Sequence, residues 1–94
     1  MAQNLNIALP KETWTLLTDA NITSLTFQNI GQEDIIVMGT TGTTAPTDTN
    51  DGIRYLPGFG EANKSLSDLF PGITAVRVYA YAVAVAGGAF VSHA

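Results

Sequence analysis

Apolar and polar positions alternate with a period of two along most of the chain, most clearly near its end. From Ala75 onward, Arg77, Tyr79, Tyr81, Val83 and Val85 form one row and Val76, Val78, Ala80, Ala82 and Ala84 the other. Successive side chains of a strand point to opposite faces. The stretch therefore predicts a strand covered on both sides, one face bulky and one small. Gly87-Gly88 tolerates positive φ, and Ala89 to His93 would return antiparallel, which predicts a terminal hairpin. That hairpin is expected at the centre of a β domain or in a subunit interface. A spanning helix does not fit: the uncharged run from Val78 to Val91 is shorter than the roughly 18 to 20 residues a membrane requires.

The earlier chain reads the same way. Asn4 to Leu9 alternates and is ended by Pro10, and Thr13 to Leu17 places Trp14 and Leu16 in one row. Asp19-Ala20-Asn21 is a turn. Thr23 to Asn29 puts Leu25 and Phe27 inward and Thr26 and Gln28 outward. Gly31 to Asp34 reverses the chain into Ile35-Ile36-Val37-Met38, a covered strand, so these two segments look like a hairpin. Gly39 to Gly52 is the longest irregular stretch, of a length that is mobile or functional in so small a domain. Ile53 to Leu56 and Asn63 to Leu66 read as short strands. Ser67 to Phe70 reads as one helical turn capped by Ser67, with Leu69 and Phe70 under the sheet. The expectation is one all-β domain over residues 1–94. Its fold is an antiparallel β-sandwich, jelly-roll or immunoglobulin-like, with at most one short helical turn.

Composition narrows what such a domain does. Charged residues make up 13% of the 94, where about 25% is usual, while the apolar share of 46% is ordinary. Sparse charge points to a surface covered by other subunits, because interface cores are depleted in charge, or else to an exposed β surface rich in Thr and Asn. A net charge of −4 with only four Lys and Arg, none clustered, speaks against nucleic acid and anionic membranes as partners. With no cysteine there is no disulfide or thiolate metal site. The first residues lack the basic and apolar regions of a secretory signal, so the protein is expected to be made in a cytoplasm.

Candidate chemistry is thin. His93 is the single histidine, and Ser92 beside it in a strand points to the opposite face, which breaks a nucleophile–base pair. Asp48 and Asp51 offer oxygen ligands for a weak cation site. The calcium-loop pattern fails, however, because Phe59 stands where the closing glutamate belongs. Glu61 and Asp68 are a conceivable acid–base pair, and Trp14, Tyr55, Tyr79 and Tyr81 a conceivable aromatic platform for sugar. No catalytic residue, cofactor or metal is assigned. The residues expected at an interface are Tyr79, Tyr81, Val83, Val85 and Phe90.

Several features together resemble small virion proteins of tailed bacteriophages. They are Trp14-Thr15 after a short N-terminal strand, Thr26-Phe27-Gln28-Asn29, Gly39-Thr40-Thr41-Gly42, Pro46, Arg54-Tyr55 with Pro57-Gly58, and Gly60-Glu61. Leu69-Phe70-Pro71-Gly72, Tyr79-Ala80-Tyr81 and the closing Val91-Ser92-His93-Ala94 complete them. The resemblance covers nearly the whole chain as a pattern of turns and aromatics. It implies a non-enzymatic β-rich subunit of the virion, a capsid decoration (cement) protein or the base of a head fibre. It also implies a homotrimer partnered by the major capsid protein or another virion protein. The alternative from the residues is a carbohydrate- or receptor-binding module of a tail or fibre. In the assembly reading, the terminal hairpin supplies the core or self-association surface, and Ala2 to Leu9 or the Gly39–Gly52 loop reaches the shell.

Overall fold

A computed structural model describes residues 3–47 and 51–93. Eight strands and one helical turn follow in order: β1 (Gln3–Leu9), β2 (Trp14–Leu16), β3 (Ser24–Asn29), β4 (Ile35–Thr40), β5 (Ile53–Tyr55), β6 (Gly60–Ser65), α1 (Leu66–Leu69), β7 (Arg77–Ala82) and β8 (Gly87–His93). They form two four-stranded sheets, β1-β8-β3-β6 and β2-β7-β4-β5, with every strand pairing antiparallel. Strand one pairs with eight, two with seven, three with six and four with five. A ribbon closed by the β4–β5 hairpin and rolled into two facing sheets is a jelly roll. The expected β-sandwich is thus present, and of its two forms the strand order selects the jelly roll.

Two expected hairpins are absent for a common reason. β7 and β8 do not pair with each other, and neither do β3 and β4; each pair is split between the two sheets. Gly87-Gly88 begins β8 and makes no turn, while Val83 to Ala86 carries the chain across. The glycines lie against the β3–β4 connection and β1. A Cβ on Gly31 would sit 3.1 Å from Gly87 Cα, and one on Gly88 would sit 3.4 Å from both Ile30 Cγ1 and Ile7 O. β7 and β8 are nevertheless each central, flanked by strands on both sides.

The small row of β7 faces the opposite sheet: Val78, Ala80 and Ala82 are fully buried, as are Ala89 and Val91 of β8. That narrow floor leaves room for Leu9, Leu25, Phe27, Ile35 and Val37. Phe27 and Tyr55 meet edge to face at 4.9 Å and 88° in the same core. Burying a side chain such as Phe27 contributes about 2–3 kcal/mol.

Boundaries differ where tertiary contacts override local signals. β6 begins at Gly60, before the predicted Asn63, because its first residues pair with Phe27 and Gln28. The three-residue step from Glu61 to Lys64 opposes the two-residue step from Phe27 to Leu25, a bulge in which Asn63 has φ 48 and its N–H bonds to Thr26 Oγ1 at 2.8 Å. The helical turn is capped by Ser65, whose Oγ accepts from Asp68 N at 3.2 Å, and not by Ser67. Leu66 is fully buried and its N–H is bonded to Thr23 O, so the turn starts directly at the strand end. Leu69 and Phe70 pack against the core as expected.

Candidate functional site

Residues directly opposite in neighbouring strands share a face, so the register places every candidate. On the outer face of the second sheet Tyr81 stands between Trp14 and Ile36, and Tyr79 between Leu16 and Met38. The Trp14 and Tyr81 rings lie 5.2 Å apart, tilted by 48°. Tyr79 is only 5% exposed, and its hydroxyl donates to Thr43 O in the segment after β4. Part of the predicted irregular loop thus lies over the aromatic face. Tyr55, the fourth member of the supposed platform, points into the core.

The five expected interface residues therefore occupy three places. Tyr79 and Tyr81 lie on one outer face, and Phe90, paired with Asn6 and Gln28, lies on the outer face of the other sheet. Val83 and Val85 sit in the β7–β8 connection. No single surface collects them.

The structure collects a different set. Pairing puts the ends of β1, β3, β5 and β7 and the starts of the strands that follow them at one end of the sandwich, where all four connections cross between sheets. Among the described residues, four of the six large apolar ones that stand exposed are in these connections: Ile30, Leu56, Phe59 and Val85. Phe59 is the most exposed at 64%. Backbone bonds lock the tip, with Asn29 N donating to Phe59 O, Gly58 N to Asn29 O and Ile30 N to Gly88 O. The buried Asn29 side chain donates to Glu33 O and Tyr55 O and accepts from Gly31 N. Lys11, Glu12, Glu33 and Asp34 belong to the same end, so its apolar residues stand among charged ones, in the manner of a contact surface with a polar rim. The signal was present in the sequence: turns are normally polar, and here Ile30, Leu56, Phe59 and Val85 stand inside them.

Among the described residues, three of the four buried polar ones gather at the opposite end: Gln3, Thr18 and His93. His93 Nε2 lies 3.2 Å from Gln3 Oε1 and 3.3 Å from Asp19 Oδ1, and Gln3 Nε2 donates to Leu17 O at 2.7 Å. Arg77 bonds to Asn21 Oδ1 and Thr18 O beside them. The carboxylate and the amide orient the imidazole, but Ser92 faces away from it on the outer row, paired with Thr26. The arrangement ties chain segments together.

Glu61 and Asp68 are likewise engaged apart, Glu61 accepting from the Tyr55 hydroxyl and Asp68 closing the Ser65 cap through its N–H. Asp48 lies outside the described residues, Asp51 is exposed, and among the described residues no three acidic, His or Cys side chains form a metal-binding group. A depression of ≈ 370 Å³ is an open groove over β3 and β6 floored by Thr26, Gln28 and Phe90, with Glu61 as its one titratable side chain. No helix among the described residues is long and apolar enough to cross a membrane. Comparison of the chain with family models, with curated proteins and with solved structures gave no match.

Proposed function

We propose that the protein is a non-enzymatic structural subunit of a tailed-phage virion, a capsid decoration protein or the base of a head fibre. It works through contacts with copies of itself and with the major capsid protein or another virion protein. The observation that carries this reading is the apolar tip: Ile30, Leu56, Phe59 and Val85 stand exposed at one end of the domain, ringed by Lys11, Glu12, Glu33 and Asp34. A jelly roll is at home in viral capsids, but it also serves lectins and cupins, so the fold supports the reading only by analogy. The test is stoichiometric. Quantitative mass spectrometry of purified virions is followed by adding the protein back to virions stripped of it. A fixed copy number is expected, lost in Phe59→Lys with the melting temperature unchanged. Absence from virions, or binding indifferent to that substitution, overturns the reading.

One observation favours the second reading, a carbohydrate- or receptor-binding module. The enclosed indole N–H of Trp14 has no hydrogen-bond partner among the described residues, and the ring stands half-buried beside Tyr81. A sugar ring would stack on the open part of the Trp14–Tyr81 pair. Trp14 is the single tryptophan, so its fluorescence reports directly: saturable change with glycans selects this reading, and a flat titration selects the structural one.

A further inference from the structure

The four sheet edges are not equally protected. Unpaired N–H and C=O groups on an edge are a template for another strand, and proteins blunt them with short strands, bulges, charges or proline. β2 and β5 are only three residues long. β6 carries the bulge at Asn63, with Glu61 and Lys64 on either side. β1 has none of these devices. Its seven residues, QNLNIAL, hold no charge and no proline, and they pair with β8 in an unbroken seven-residue register. Among the described residues, no backbone hydrogen bond from outside its own sheet reaches Asn4 to Ala8. Leu5 belongs to the inward row, opposite the fully buried Val91, yet it is 49% exposed, with β1 at the edge of the described sheet.

We infer that β1 pairs antiparallel with β1 of a second copy about a two-fold axis at Asn6, joining two four-stranded sheets into one of eight strands. The strand is its own complement in that register. Leu5 of each copy stands beside Ile7 of the other on the inward row, and Asn4 stands beside Ala8 on the outward row, without a charge on either side. The outer face continues uncharged inward from the seam through Phe90 and Ser92. For a protein of net charge −4, this is a face on which two copies meet without repulsion. The strand is about 23 Å long and the sandwich 19 Å across at its thinnest, so the seam covers on the order of 400 Å² per copy, about half of what a stable pair of proteins buries. Association is accordingly weak in dilute solution and grows with local concentration. The inference does not depend on the virion reading, which concerns the tip.

Sedimentation velocity over a concentration series, from micromolar to near millimolar, tests it. The expected result is a reversible monomer–dimer equilibrium in the intact chain. Asn6→Lys places two lysines across the axis on an exposed position. It should abolish the dimer over the same range, with circular dichroism and melting temperature unchanged. Asn6→Asp should do the same alone, and an equal mixture of the two variants should recover a heterodimer. A monomer at every concentration overturns the inference. A trimer does so too, as does a dimer that survives Asn6→Lys.

Discussion

The Tyr55 hydroxyl donates a 3.0 Å hydrogen bond to Glu61 Oε2, joining β5 of one sheet to β6 of the other. Burial first, then the bond to Glu61 and its charge, push the Tyr55 hydroxyl well above the usual tyrosine range. The fold therefore favours the neutral phenol. Its contribution to stability is complete below about pH 10, where an unfolded tyrosine titrates, and is lost as pH rises from there toward the higher folded value. Urea midpoints measured from pH 8 to 12 should fall steeply above pH 10. In Tyr55→Phe they should start about 1 kcal/mol lower, from the lost bond, and fall less steeply. Parallel profiles for the two proteins would remove this account.

Gly60 is where β6 comes closest to β3. An added Cβ would run into the carbonyl oxygen of Phe27 and lie 2.7 Å from Gln28 Cα, both backbone atoms that cannot rotate away. Gly60→Ala is predicted to cost about 2 kcal/mol or more, the scale of overpacking that moves backbone. Gly42→Ala is the control: a Cβ there meets nothing within 4 Å, and its stability should stay within about 0.5 kcal/mol of the parent. Chemical denaturation of both variants decides, and equal effects would mean that the Gly60 contact relaxes.

The alternation of Leu25 and Phe27 with Thr26 and Gln28, and the two rows of β7, were legible because side-chain direction follows sequence spacing. Strand order was not. Periodicity carries a face but no partner, so the five residues between Asn29 and Ile35 looked like a hairpin loop although they cross between sheets. Gly87-Gly88 misled in the same way, since a glycine pair reads like a turn although here it opens a strand beside Ile30 and Gly31. Of the expected interface residues, Tyr79 carries a cover that periodicity does not show, because its hydroxyl meets Thr43, far away in sequence. The apolar tip was legible residue by residue in the turns. What was hidden is that pairing brings those turns to one end.

Tyr79 separates folding from assembly. Tyr79→Phe keeps the ring between Leu16 and Met38 and loses only the bond to Thr43 O, an acceptor in an exposed segment. It should cost about 0.5–1 kcal/mol and raise hydrogen exchange in the segment after β4. Tyr79→Asp places a carboxylate at a site only 5% exposed among apolar neighbours, which should cost about 3 kcal/mol or more and unfold much of the protein. A folded Tyr79→Asp protein with altered self-association would instead return this residue to an interface.

The Gln3–His93–Asp19 corner holds both ends of the described chain. Gln3 begins β1, His93 ends β8, and the two are register partners as well as side-chain partners. Gln3 also donates to Leu17 O, and Asp19 reaches His93 from the β2–β3 connection, so one side chain's loss unseats the others. Gln3→Ala and His93→Ala are each predicted to cost about 1–2 kcal/mol, the scale for buried polar groups deprived of a partner. The double variant should cost clearly less than the sum, because the second substitution removes a group that the first has already orphaned. Equilibrium unfolding of the three proteins gives the coupling. Strict additivity would mean that strand pairing alone, and not this side-chain network, holds the chain ends together.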